Sequence, residues 1–477
     1  MVRYRVRFAS GGEASTNPVE QRLPSATTED ATHSQQRSRF GCRQCRNRKV
    51  KCDETFPICQ RCERRGSLCQ PAPRPSQWQA EVPWLTSKKL GQPVLQRVPL
   101  PLADSRNVNA RLMRYWLECV SQIMSVDQNN NPLSFPILKY ISEAPSLVHV
   151  LQGVSAAHEA YFQPRNMSTS LEERSKALSA FRGELQTQSA SLSHSFLTLI
   201  LLGMSSSWMA TRPDDFGREH LLAATTVAKV IVERGDPNTD ELDHLSMGLY
   251  VYWDMACAFC LDPSDHPLVQ ENALLAYVTG ASRRVHTTTS HSIDLYYFLS
   301  QIGRYCRSVA GGANRDFLFE IHIERELCNY ESMETKRPAQ LLAEAFRKHG
   351  LLLLYRLCGT PGDDISSATT TNEKSESIRQ LALDIIRLIL QTEPDSPYLI
   401  LQVIPLLSAG AEMTALDVQE RTEVKKRLHA VYSTNRLLPT LWTISLLDEL
   451  WVINDAGLTD VTWLKLMLLK GWRLRIG

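Results

Sequence analysis

Six of the twelve cysteines in this 477-residue chain fall between positions 42 and 69. Cys42, Cys45, Cys52, Cys59, Cys62 and Cys69 give the spacing C-x2-C-x6-C-x6-C-x2-C-x6-C, which is one unit, C-x2-C-x6-C, written twice. In each unit the first two cysteines lie three residues apart, so a helical turn puts both sulfurs on one side. The third cysteine returns after a short loop. Reduced thiols in that arrangement are metal ligands. A structural zinc takes four ligands in a tetrahedron. One zinc would leave two of the six sulfurs idle, whereas two need more bonds than six sulfurs give singly, so two sulfurs must be shared. The duplication makes the equivalent first cysteines, Cys42 and Cys59, the natural bridges. Cys45 and Cys52 then complete one Zn2+, and Cys62 and Cys69 the other.

Other readings of the cluster are a disulfide knot, chance clustering and a catalytic zinc. A disulfide knot needs an oxidising compartment. The start "MVRYRVRFASGGEAST" carries Arg3, Arg5 and Arg7 without an apolar stretch, and Glu13, Glu20, Glu29 and Asp30 argue against a mitochondrial presequence. Apolar runs such as "FLTLILLG" (196–203) and "YLILQVIPLL" (398–407) fall short of the roughly 20 residues that span a membrane. The expectation is a soluble intracellular protein, not a membrane partner, with reduced thiols. Chance does not duplicate a unit, and a catalytic zinc keeps an open position that a closed thiolate set lacks. So short a segment cannot build an apolar core, so metal must supply its folding energy, on the order of ten kcal/mol per zinc. Pro57 is expected to turn the inter-unit loop, and Gly66 to end the second helix with positive φ.

Charge says what this frame presents. From Arg37 to Cys69 there are ten Arg or Lys against three Asp or Glu, and the rest of the chain carries 43 basic and 48 acidic residues. A basic module on a mildly acidic body points to a polyanion. "RNRKVK" follows Cys45, so Arg46, Arg48, Lys49 and Lys51 project from the first helix or the turn beyond. A basic run alone could be a solvated face or an import signal. Pinned to a metal frame, it offers charge in fixed geometry, which suits phosphates and the major groove. Arg and Lys pair there with guanine O6 and N7. The expected partner is double-stranded DNA.

These residues resemble the fungal Zn2Cys6 binuclear-cluster DNA-binding domain at every ligand position. The resemblance implies two bridged zinc ions and recognition of CGG-type promoter triplets by the end of the first helix. It places Lys49 at the family's main base-contacting lysine, Arg48 at its basic neighbour, and Arg46 and Lys51 at phosphate-contacting or framework positions. Pro57 falls at the loop proline. Arg48 is often Lys in relatives, and the two side chains read guanine with different geometry.

The elements that carry this module follow a simple order. Residues 1–38 are polar and without hydrophobic period, a disordered N-terminal segment. Residues 39–70 form the DNA-binding domain. Residues 71–104 are a proline-rich linker that excludes a continuous helix. From residue 105 the pattern becomes helical. Val108, Leu112, Tyr115, Trp116, Cys119, Val120 and Ile123 share one face, and similar spacing recurs in twelve further stretches from 171–188 to 460–470. The fold class is mostly α, with a small cluster module and a large all-helical regulatory domain over 105–477.

The body resembles the fungal-specific transcription factor regulatory domain through "REHLLAATTVAKVIVERG" (218–235), "GLYVYWDMACAF" (248–259), "KHGLLLLYRLCG" (348–359), "VIPLLSAGAEM" (403–413) and "LLDELW" (446–451). It shows no P-loop, G-x-S-x-G or dinucleotide fingerprint. The C-x2-C of Cys257 and Cys260 lies in an apolar helical stretch and reads as core, His158–Glu159 lacks the second histidine of H-E-x-x-H, and His349 reads as a helix-end residue. The expectation is a nuclear transcription regulator of RNA polymerase II genes rather than an enzyme, with transcription machinery or co-regulators as further partners. By family analogy, a metabolic or secondary-metabolite gene cluster is its target. The alternative is a helical metabolite-binding or enzymatic body for which the cluster is a scaffold. No coiled-coil seam follows the linker, so the protein binds either as a monomer or as a homodimer through the helical body.

Overall fold

The computed structural model describes residues 41–53, 59–65, 69, 108–141, 144–160, 166–234, 240–262, 272–359, 370–458 and 460–477. The segment 1–38, the linker 71–104 and the turn residues Pro57 and Gly66 lie outside the described residues.

Two short helices, α1 (Arg43–Asn47) and α2 (Gln60–Glu63), belong to the cysteine module. In the body, α3 (Ala110–Tyr115) runs through a π-helical turn at Trp116–Val120 into α4 (Ser121–Ile123), and a 3-10 turn at Phe135–Ile137 leads into α5 (Leu138–Ile141). There follow α6 (Pro145–Ala160), α7 (Asn166–Thr187), α8 (Leu192–Met209), α9 (Arg218–Glu233), α10 (Glu241–Ala256), α11 (Asn272–Ala281) and α12 (Ile293–Ala310). The chain continues through α13 (Phe317–Cys328), α14 (Arg337–Cys358), α15 (Thr370–Leu390), α16 (Val403–Ala411), α17 (Val418–Asn435), α18 (Leu438–Asp455) and α19 (Trp463–Leu469). Among the described residues there is no strand, only an isolated bridge between His286 and Ser290. None of the described helices is long and apolar enough to cross a membrane. The fold is mostly α, with a small cysteine module and a large helical domain.

The starts obey local chemistry. Asn109, Asp240 and Asp316 accept the first free backbone N–H groups of α3, α10 and α13, and Ser191 and Thr462 do the same for α8 and α19. The body is built as a succession of packed helices: α7 on α6, α6 on α8, α8 on α10, α10 on α12, α12 on α14, and α14 on α15 and α16. The last helices return, with α17 and α18 on α16, and α18 against α8. Close approach is bought with glycine at two places. A Cβ at Gly203 of α8 would meet the Trp253 ring at 2.0 Å, and one at Gly248 of α10 would meet the His286 ring at 2.5 Å. Between α10 and α12 the Asp254 carboxylate accepts two hydrogen bonds from Arg304, both 2.8 Å, with both side chains buried. Neutralised in this way, the pair can occupy an apolar layer.

Two helices escape the periodic pattern. In α6 fourteen of sixteen residues are buried, so no polar face marks it. In α13 "FLFEIHIE" alternates like a strand, although Asp316 starts a helix there. Four residues also differ from expectation. Cys119 is exposed because the π-helical turn rotates it off the apolar face. Cys257 caps α10, and the chain from it to Cys260 is a turn, not helix, with both thiols buried and Cys260 Sγ donating to Leu474 O at 3.1 Å. His349 sits within α14, buried against Phe346, rather than at a helix end.

Candidate metal centre and nucleic-acid interface

The module folds around its sulfurs. All six cysteines are at most 3 % exposed, and they form a cluster of their own. Each unit uses its first cysteine as a helix cap. Cys42 Sγ accepts from Cys45 N and Cys59 Sγ from Cys62 N, both at 3.4 Å. Each unit then closes on its third cysteine. Cys42 N donates to Cys52 Sγ and Cys59 N to Cys69 Sγ, again at 3.4 Å. The sequence duplication is therefore a duplication of hydrogen bonds. Asp53 joins the halves, its carboxylate accepting from Gln60 N at 3.0 Å and Arg61 N at 3.4 Å at the start of α2. The carbonyl of Cys69 accepts from Ser433 Oγ of α17 at 3.0 Å.

The sulfurs sort into two tetrads, Cys42–Cys45–Cys52–Cys59 and Cys42–Cys59–Cys62–Cys69, each with its ligand atoms within 4.8 Å of one another. Cys42 and Cys59 are common to both, with their sulfurs 3.8 Å apart. Bare sulfurs this close cannot all ionise. Hydrogen bonding from Cys69, with further help from the Cys45 backbone, holds the Cys42 thiol down to about 4. Burial and the bond to Cys42 push the Cys45 thiol up, and the Cys42 contact followed by burial pushes Cys69 up. One thiolate is stabilised at the cost of its neighbours, and cations among the sulfurs would relieve that conflict. The donor set therefore fits two soft, tetrahedral metal ions.

Outside this core the module is basic. Arg46, Arg48, Lys49 and Lys51 are all exposed at the end of α1 and beyond it. The chain reverses at Lys49, which holds φ 56°. Lys49 N donates to Arg46 O at 2.9 Å and Val50 N to Cys45 O at 3.0 Å, a Schellman closure with lysine where glycine is usual. Sequence reasoning named these side chains but passed over Arg64 and Arg65, exposed just beyond α2, and Arg43 at the start of α1. Their signal was available, since Arg65 stands where Arg48 stands one unit earlier.

A crevice between α8, α10 and the C-terminal residues is lined by Met204, Trp208, Leu249 and Tyr252, and its one cation, Arg475, already donates to Met204 O and Gly477 O.

Residues 40–79 match the model of the fungal Zn(2)-Cys(6) binuclear cluster domain, and residues 111–477, more than three quarters of the chain, match that of the fungal specific transcription factor domain. Among curated proteins, a Zn(2)-C6 fungal-type transcription factor of Gibberella zeae is 53 % identical over 36 residues, which is 8 % of this chain and 7 % of the relative. The transcription activator AMTR1 of Alternaria alternata is 51 % identical over 37 residues, 8 % and 5 % respectively. The Zn(2)-C6 fungal-type transcription factor afumD of Aspergillus fumigatus is 27 % identical over 131 residues, 27 % of this chain and 34 % of that one. The chain thus spans about a third or less of the length of these relatives, all named as transcription factors and none as an enzyme. No solved structure matches it.

Proposed function

The chain belongs to the family of fungal transcription factors that join a Zn(2)-Cys(6) binuclear cluster to a fungal specific transcription factor domain, and from that premise we propose that it regulates RNA polymerase II genes from the nucleus by reading duplex DNA. The cluster domain takes two zinc ions through six cysteines. In our assignment Cys45 and Cys52 hold one ion, Cys62 and Cys69 the other, and Cys42 and Cys59 bridge them. The observation that carries this reading is the pair of sulfur tetrads sharing two members. Zinc supplies charge neutralisation and cross-links, not chemistry on a substrate.

The protein side chains do the recognition. Lys49, at the reversal that ends α1, and Arg48 before it enter the major groove and donate to guanine O6 and N7 of CGG-type triplets. Arg46 and Lys51 lie along the phosphates and fix the register. The helical body recruits co-regulators or transcription machinery, and a metabolic or secondary-metabolite gene cluster is the class of target we favour from the family.

The test is a gel-shift titration of the zinc-loaded full chain against duplexes with intact and scrambled CGG triplets, repeated after chelation. Tight binding to CGG alone, lost on chelation and restored by Zn2+, supports the reading. Equal affinity for both duplexes, or binding that survives complete metal removal, overturns it.

A further inference from the structure

The cysteine module does not stand apart from the body. Ser38–Gly477 holds together as one unit, with the module inside it. The point of attachment is the end of α17. Ser433 lies two residues before that end, yet it is fully buried, and Cys69, the last cysteine of the module, is buried too. Ser433 Oγ is 3.0 Å from Cys69 O and 2.8 Å from His429 O, so its single proton has two acceptors. One acceptor belongs to the module and the other to its own helix. When the module departs, the hydroxyl keeps His429 O, the usual recourse of a serine within a helix, and Cys69 O regains water. Separation strands no buried donor, so the contact is reversible.

One turn further on, Arg436 ends α17 in the left-handed region, at φ 57°. Its Nη1 donates to Tyr115 OH at 3.2 Å and to His158 O at 3.1 Å. Tyr115 closes α3, the first helix of the body. The chain therefore leaves the module and enters the body against the same end of α17. At about 3.3 Å per residue, the segment between, 70–107, is long enough to carry the module far away. Its two flanks share one anchor instead.

We propose that the C-terminal turn of α17 is a dock for the cysteine module, and that the body holds the module there with its basic end left to solvent. Arg46, Arg48, Lys49 and Lys51 belong to the first unit and are exposed, whereas the docked carbonyl belongs to the last cysteine of the second. The dock is a mount rather than a lid. A tethered partner meets its site at a roughly millimolar effective concentration, so a contact as small as this one suffices. The docked residue is also a member of one of the sulfur tetrads. A shift of α17 therefore bears on the backbone that carries a metal-binding sulfur. The body gains a route to the module that needs no change in the segment between. Which bases the module reads does not enter.

Methyl NMR of the full chain, loaded with cobalt(II) in place of zinc, tests it. Cobalt(II) takes tetrahedral thiolate sites and is paramagnetic, so it displaces and broadens only the signals close to the module. The methyl signals of Ala430 and Val431, beside Ser433 in α17, are expected to move relative to the zinc-loaded chain. Those of Ile323 in α13, a helix packed on α14, are expected to stay in place. Ser433→Phe removes the donor and sets a wedge in the dock. It is expected to abolish the cobalt effect at Ala430 and Val431, with the Ile323 signals reporting that the body is still folded. A cobalt-loaded native chain whose Ala430 and Val431 signals stand where zinc leaves them overturns the proposal. So does a folded Ser433→Phe chain that keeps the native displacement.

Discussion

The cysteine module and the helical body solve the same problem with opposite means. The body buries whole faces of aliphatic and aromatic side chains around helices such as α8 and α10, with Arg304 and Asp254 paired among them. Among its described residues the module has no such core; those buried are its six cysteines and little else. One region holds its shape by excluding water from many side chains, the other by a few bonds of high strength. The first can lose a contact and adjust. The second is fixed or absent, which suits a surface whose charges must not move.

That contrast can be broken most forcefully by chelation. Removing zinc is expected to cost the module its fold, on the order of ten kcal/mol per ion, while the body keeps its helical circular dichroism and its melting transition. Simultaneous loss of both would mean the two share one stability. Next, Trp253→Ala opens a cavity above Gly203 and should cost the body about 3–5 kcal/mol in a denaturation titration, leaving metal stoichiometry alone. Acid should also strike the body selectively above the pH at which thiolates release metal. His286 and His349 are pushed down to about 3, chiefly by burial. The unfolded chain then binds more protons than the folded one below pH 6.5, so stability falls as pH drops through that value. For these two residues the loss by pH 5.5 is about 2–3 kcal/mol, read as a lowered melting temperature; a flat profile from pH 7 to 5.5 would refute the neutral assignment. On the module, Lys49→Ala should lose about 1–3 kcal/mol of discrimination at a CGG site, whereas Lys51→Ala should weaken all sequences alike and flatten the salt dependence. Identical site preference in native and Lys49→Ala chains would remove Lys49 from the reading head. The smallest effect is Asp53→Ala, which removes the carboxylate that accepts from Gln60 N and Arg61 N at the start of α2 and should cost the loaded module about 1 kcal/mol in competition with a chelator.

How far the sequence could be read differs between the two regions for the same reason. Ligand spacing is arithmetic, so our proposal that Cys42 and Cys59 are shared rests on counting sulfurs, and both are members of each tetrad. Helices with one polar face, such as α14, were visible from their period. Helix α6 was invisible because burial on all sides erases the period, and α13 because its alternation mimics a strand. The polar inward side of α7 was hidden differently. A leucine every seventh position reads as core until the structure shows that Glu173 and Glu184 hold the inward positions. The surroundings of His349 also needed tertiary neighbours, since nothing local tells a mid-helix histidine from a terminal one.

Lys49 bends backward where α1 ends, and one repeat later the same slot of the duplicated unit holds Gly66. A side chain in that torsion costs about 1–2 kcal/mol that glycine would not. A search for sturdier variants of the module would therefore drift toward glycine at 49 and, on our proposed assignment, discard the side chain that reads bases. On that assignment ruggedness and recognition compete at Lys49 for a single backbone angle, while the second unit carries glycine at the matching position.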